Sequence, residues 1–219
     1  MRPYDLIIFD WDGTLMDSTP SITQAMQQAI QQLQLPPLSN DTVSHIIGLG
    51  LNEAVSTLYP SLPPARLQQL GQYYQRNFIQ QQTRPQLFPG AADFIKHLFE
   101  QDYLLAVATG KSRSGLDSVL TQTQLAPYFT TTRCVDECPS KPDPTMLKEI
   151  ITELGATAER TLMIGDTSHD LMMARHAGTS MVGITHGAHS EEKLVACTPD
   201  YITHDLKQLQ TWLQKISLC

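Results

Sequence analysis

The chain has 219 residues, 41% of them hydrophobic, which is enough to bury a substantial core in one large domain or in one domain carrying an insert, and which excludes a disordered chain. Its formal net charge of −7 comes with no basic run, so nucleic acid and anionic membrane are poor partners and a small substrate is the better match. No apolar stretch approaches the roughly 20 residues of a membrane span, the apolar start after Arg2 is too short for a signal peptide, and the expected location is the cytoplasm.

In chain order, "YDLIIFD" opens with an apolar run that reads as a buried strand and ends on Asp10, with Asp12 just beyond. From Asp17 to about residue 84 the pattern is helical and rich in glutamine. "SITQAMQQAIQQLQL" keeps helical spacing until Pro36 and Pro37 stop it, and "LPPARLQQLGQYYQRNFIQQQ" starts another long helix after a proline pair. Between them, "HIIGLGLNEAV" interrupts an apolar helical pattern at Gly48 and Gly50, which predicts a turn whose backbone can approach a ligand. Apolar or β-branched runs then alternate with helical stretches: "YLLAVAT" (103 to 109), a weaker "FTTTRCV" (129 to 135), "TLMIGD" (161 to 166) and "SMVGIT" (180 to 185). This rhythm predicts an α/β fold, a parallel sheet covered by helices on both faces and interrupted after its first strand by a helical insert. The insert's acids (Asp17, Asp41, Glu53) and bases (Arg66, Arg76, Arg84) cancel, so the net charge belongs to the rest of the chain.

Other residue types carry less. Cys134, Cys138, Cys197 and Cys219 form neither a CxxC pair nor a dense framework and read as reduced thiols. The spacing of His45, His169, His186 and His189 matches no zinc pattern, and they read as surface or loop histidines. Asp17 reads as a cap for the helix that follows it or for a nearby turn, and Met172 and Met173 as helix packing.

In an open parallel sheet, ligands bind beyond the carboxyl ends of the strands. Those ends deliver Asp10 and Asp12, then Thr109 and Gly110, then Asp166 followed by Asp170. Such carboxylates repel one another unless a cation sits among them, and the candidates are Lys141, in "SKPDP", and a bound divalent ion. An all-oxygen ligand set favours Mg²⁺ over zinc. Gly13, Gly110 and Gly165 permit tight turns whose N–H groups can face a phosphate.

"FDWDGTLMDS", "VATGK", "SKPDP" and "GDTSHDLMMARHAG", in that order and spacing, resemble the four motifs of the haloacid dehalogenase superfamily, most closely its phosphoglycolate-phosphatase-like branch. The resemblance implies a Rossmann-like doubly wound core, 1 to 16 and 85 to 219, with a small all-helical cap, 17 to 84. It implies a Mg²⁺-dependent phosphomonoester hydrolase acting on a small phosphorylated metabolite, working as a monomer or weak dimer. Asp10 would be the nucleophile that forms an aspartyl-phosphate, and Asp12 would protonate the leaving oxygen and then activate water. Asp166 would bind the metal with Asp10 and the Asp12 backbone carbonyl, Asp170 would support the metal shell or orient Lys141, and Thr109 with the Gly110 N–H would hold a phosphate oxygen. Trp11 would contribute a backbone N–H and shield the site. The cap turn would read the substrate through backbone N–H groups around Gly48 and through His45.

Rival activities on this fold are ranked by single residues. A dehalogenase shows no acid where Asp12 stands, and a phosphonoacetaldehyde hydrolase needs a cap lysine, of which residues 17 to 84 have none. A sugar-phosphate mutase needs cap cations, and only Arg66, Arg76 and Arg84 keep it open beside pyrophosphatase and sugar-phosphate phosphatase. A catalytically silent binding protein on this fold has usually lost Asp10 or Asp12. A receiver domain is shorter and carries its acid pair ahead of the phosphoacceptor.

Overall fold

The computed structural model describes residues 2–81 and 86–217. The elements run β1 (Leu6–Phe9), α1 (Thr19–Gln32), α2 (Asn40–Ser44), α3 (Leu51–Leu58), α4 (Pro64–Gln81), α5 (Ala91–Glu100), β2 (Leu104–Thr109), α6 (Arg113–Thr123), β3 (Thr131–Cys134), α7 (Thr145–Glu153), β4 (Thr161–Gly165), α8 (Ser168–Ala177), β5 (Ser180–Ile184), α9 (Glu191–Val195), β6 (Tyr201–Thr203) and α10 (Leu206–Ser217). All the strand pairings are parallel, in the order β3-β2-β1-β4-β5-β6. This is the doubly wound α/β fold expected.

Because successive strand residues point to opposite faces, β1 feeds two cores at once. Leu6 and Ile8 pack with Ala106, Met146, Ile150, Met163 and Leu171 on one face, while Ile7 and Phe9 pack with Phe94, Ile95, Leu105, Val107 and Ile164 on the other. Burial on both faces explains why "LIIF" reads as a continuous apolar run with no polar alternation. The chain leaves β1 first toward β2 and β3 and later toward β4, β5 and β6, so the strand order reverses between β1 and β4. The crevice of a doubly wound sheet opens at that reversal. Asp10 follows β1 and Asp166 follows β4, which puts both acids at its mouth.

Helices α1 to α4 surround an apolar cluster of their own, built on Met26, Ala29, Ile30, Val43, Ala54, Val55, Leu58 and Leu70. Helix α1 ends at Gln32, short of the prolines, because Gln34 turns left-handed at φ 53° and the Leu35 N–H closes back on the Ile30 carbonyl. The glycine turn starts α3: Gly48 has φ +92°, where a side chain is strained, and Gly50 is the residue before the first helical position. Arg84, the 84/85 boundary and Cys219 lie outside the described residues.

Three expectations need correction. The sixth strand, β6, was not predicted; it is only three residues long and follows Pro199-Asp200, too short for a period to show. Asp17 does not cap α1: Ser18 stands at that position, its hydroxyl donating to Asp12, and Asp17 is exposed. The surface-or-loop reading of the histidines fails at His169, which lies half-buried on α8, whereas His189, although buried, is in the loop after β5.

Candidate active site

Asp10, Asp166 and Asp170 are fully buried, with carboxylate oxygens within 4.8 Å of one another. The Asp10 backbone is fixed by its N–H, which donates to the Ile164 carbonyl at 2.9 Å and continues the β1–β4 ladder to the site. Lys141, equally buried, donates to Asp10 Oδ1 at 2.6 Å and to Asp170 Oδ1 at 2.7 Å. The other Asp170 oxygen accepts from the Thr167 N–H at 3.1 Å and the Thr167 hydroxyl at 2.6 Å, in a capping box at the start of α8. One Asp170 oxygen thus accepts from Lys141 while the other closes the helix end. Asp166 accepts from the Thr14 hydroxyl and from the Ala188 N–H, each at 2.7 Å. Asp10 Oδ2 is buried with no hydrogen-bond partner among the described residues.

The electrostatics follow from crowding. Burial, with Asp170 and Asp12 nearby, pushes Asp10 up to about 7 against the pull of Lys141. Asp166 is raised well above the carboxylate range by burial and then by Asp10 and Asp170. Burial disfavours the Lys141 ammonium, but Asp10 and Asp170 outweigh it and its pKa is raised. A divalent cation fits this place: the donors are all oxygens, one of them is an unsatisfied buried acceptor, and the acids repel one another. Two glycines let the backbone close on Asp166. A Cβ at Gly13 or at Gly187 would lie 2.2 or 2.1 Å from Asp166 Oδ2.

Asp12 and Thr109 stand on the rim, with Gly110 following. Asp12 accepts from the Ser18 hydroxyl at 2.6 Å and from the Lys111 ammonium at 2.9 Å on each oxygen. Thr109 is buried at the end of β2, and its hydroxyl oxygen accepts from the Lys111 N–H at 3.2 Å. A chamber of about 890 Å³ lies between this rim and the helices, lined by Asp10, Asp12 and Thr109 below and by Gly48, Leu49, Tyr74 and Phe78 above. Trp11 is wholly buried, its indole N–H directed at the Met16 sulfur at 3.2 Å.

The turn over residues 45 to 50 meets the core differently from the expectation. A Cβ at Gly110 would lie 2.5 Å from the Gly48 carbonyl oxygen and 2.7 Å from that of Leu49, so the turn presents acceptors to Gly110. Its Gly50 N–H is taken by the Ser140 hydroxyl at 2.8 Å and its Leu49 N–H by the Ile46 carbonyl. His45 faces away from the chamber lining, into a group with His169 and His189. His169 Nε2 donates to the His45 carbonyl at 2.8 Å and His189 Nε2 lies 3.1 Å from it, while the Ser168 N–H donates to His189 Nδ1 at 2.9 Å. With Nδ1 accepting, neutral His189 carries its proton on Nε2, the nitrogen a metal would need free. Burial first, then its neighbours His169 and His45, hold His189 down to about 4. The trio ties the helical unit to the sheet by hydrogen bonds. Cys134 and Cys138 are buried free thiols, pushed up by burial to about 12 and about 11.

A family model described as haloacid dehalogenase-like hydrolase matches residues 7–184. The chain belongs to that family. It is 35% identical over 216 residues to a protein of Dickeya dadantii named "Probable phosphatase IndB", covering 95% of this chain and 92% of that one. It is 31% identical over 216 residues to the phosphoglycolate phosphatase of Aliivibrio fischeri, covering 93% and 94%. Among solved structures, a hydrolase from Pseudomonas syringae shares the fold with a TM-score of 0.89 at 22% identity, over 98% of this chain and 100% of that one.

Lys111, Ser18, Thr14, Gly187 and Ala188 also build the site, and the sequence reading gave them no role. Lys111, Thr14 and Ser18 carried a signal, since Lys111 closes the "VATGK" motif and the other two lie in "FDWDGTLMDS"; Gly187 and Ala188 carried none.

Proposed function

We propose that the protein hydrolyses phosphate monoesters of small metabolites with Mg²⁺, phosphoglycolate first among them, and that the four-helix unit, about 17 to 84, acts as a cap over a core of 1 to 16 and 85 to 219. The observation that carries this reading is Asp10: one oxygen is held by Lys141 and the other is buried with no hydrogen-bond partner among the described residues. A carboxylate in that state is a nucleophile held ready, with its counter-charge incomplete until ligands arrive. Relatives named phosphatase and phosphoglycolate phosphatase, similar over nearly the whole chain, support it. No helix among the described residues is long and apolar enough to cross a membrane. We place the enzyme in the cytoplasm, as a monomer or weak dimer.

In this reading Asp10, Asp166 and the Asp12 carbonyl would hold Mg²⁺, which when bound would neutralise phosphate charge. Asp10 attacks phosphorus while the bond to the ester oxygen breaks, and Asp12 gives that oxygen its proton. Water then attacks the aspartyl-phosphate, Asp12 takes a proton back, and inorganic phosphate leaves with Asp10 restored. Lys141 and the Thr109 hydroxyl, with the Gly110 N–H, steady the phosphoryl oxygens. Asp170 is a positioning residue acting through Lys141. Of the three cap cations behind the mutase alternative, the Arg66 guanidinium donates to the Leu33 carbonyl and Arg76 lies over the Tyr73 ring, and neither lines the chamber; Arg84 lies outside the described residues.

The test is turnover of an aryl phosphate by chelated protein with and without added Mg²⁺. Turnover that appears only with the metal is the expected result; none under either condition returns the silent binding protein. Gly110→Ala is expected to lower kcat/KM by about 10-fold or more without unfolding the protein, because its Cβ meets the Gly48 and Leu49 carbonyls and the cap turn must withdraw. Steady-state kinetics beside a thermal melt checks this. Unchanged kinetics would mean that the observed approach of cap to core is not the working one.

A further inference from the structure

The cap turn has its N–H groups at Leu49 and Gly50 already engaged, so neither is free for the part of the substrate beyond the phosphate. Among the described residues that line the chamber, Lys111 is the one cation, while Asp10, Asp12, Glu53 and Asp136 are acids. Lys141 is not part of that lining; it is held by Asp10 and Asp170 and, in the proposed reading, serves the phosphoryl group. An anionic group on the substrate therefore meets attraction at one point and repulsion at the others.

We propose that Lys111 is the specificity-determining residue that binds a carboxylate on the leaving group, one methylene away from the ester oxygen. The assignment rests on the proposed phosphatase reading and deepens it. Its geometric basis is Asp12. In that reading Asp12 protonates the ester oxygen, so whatever is bonded next to that oxygen lies beside Asp12. The Lys111 ammonium sits 2.9 Å from both Asp12 oxygens, which places it beside the same atoms of the substrate. An ammonium has three N–H donors, and Asp12 uses two of them among the described residues, which leaves one for a ligand. The Phe78 ring of α4 lies over the ammonium, 5.4 Å from its nitrogen, so the cap covers the group from the far side. With only 9% of the Lys111 side chain exposed, water competes weakly for it, and a carboxylate pairing there is worth more than at a surface.

The experiment compares 2-phosphoglycolate with 2-hydroxyethyl phosphate, which keeps the skeleton and replaces the carboxylate by a neutral hydroxymethyl. The readout is the ratio of their kcat/KM values, which cancels any damage to Asp12 common to both. Wild type is expected to prefer phosphoglycolate. Lys111→Met is expected to cut that ratio by roughly 30-fold, mainly through KM for phosphoglycolate, as befits one lost charge-assisted hydrogen bond. Lys111→Arg, which keeps the charge, is expected to recover part of the ratio, and Lys111→Gln serves where the methionine variant melts early. A wild-type preference that survives in Lys111→Met and Lys111→Gln overturns the assignment and leaves the proposed reaction standing, as does equal loss on both esters, the signature of a residue that serves Asp12 alone. A wild type that turns over neither ester overturns the reading beneath it, and the assignment falls with it.

Discussion

Asp10→Asn is expected to reduce phosphoester turnover by at least about 10³-fold and, in chelator at about pH 8, to raise the melting temperature. In the proposed mechanism the first effect is the loss of the attacking oxygen at nearly constant volume. The second follows from linkage. Asp10 has its folded-state pKa lifted to about 7 by burial, against an unperturbed 3.8. Between those values the folded chain holds a proton that the unfolded chain has released, so stability from this group is full below about pH 4 and declines as pH rises to about 7. Spread over that window the loss is on the order of 4 kcal/mol. Asparagine carries no such charge, and the variant escapes the decline. Mg²⁺ is expected to restore wild type at pH 8 and to do much less for the variant. The check is a series of melts from about pH 5 to about pH 8, with chelator and with Mg²⁺. A wild type whose metal-free stability rises over this range would show that Asp10 is not a strained buried acid, and a variant with more than a few per cent of wild-type turnover would remove it as the nucleophile.

What could be read ahead of the structure was what local chemistry enforces. "LIIF" is apolar because both faces of β1 are covered, and the acids that follow it and β4 sit where a parallel sheet presents its strand ends. Lys141 was legible because four clustered acids demand a cation. The unread part depends on distant pairs. Nothing near Gly187 says that its missing side chain makes room for Asp166, since the two meet only when the loop after β5 folds over β4. Ser18, next to the expected cap Asp17, takes the cap position itself, and its hydroxyl goes to Asp12. His45 and His189 are 144 positions apart and come together only through the docking of one unit on the other. The glycine turn was seen as a close approach, which it is, but which polar edge of its backbone faces the core is set by the φ of Gly48 and the Ser140 contact, neither of which has a local signature.

The Lys141 ammonium should matter to folding as much as to chemistry. It has no exposed side-chain surface, and its two partners, Asp10 and Asp170, are buried as deeply. A buried pair is poor evidence of net stabilisation, but removing one member strands the other, at about 3–5 kcal/mol. Here one cation answers two carboxylates, with Asp166 close by. Lys141→Met fills most of the volume and supplies no charge, so in chelator near neutral pH the unfolding free energy is expected to fall by about 3–5 kcal/mol, and turnover with Mg²⁺ to fall with it. The loss should shrink toward acid pH, where protons can replace the missing cation. Adding Asp170→Asn to Lys141→Met removes one of the stranded charges and leaves the Thr167 contacts an oxygen acceptor, so the double variant is expected to be more stable than Lys141→Met alone. Denaturant unfolding of the four members of this cycle measures the coupling directly. A Lys141→Met loss below about 1 kcal/mol, or no recovery in the double variant, would mean that the acids are neutralised by protons in the metal-free protein and that Lys141 serves the phosphoryl group rather than the fold.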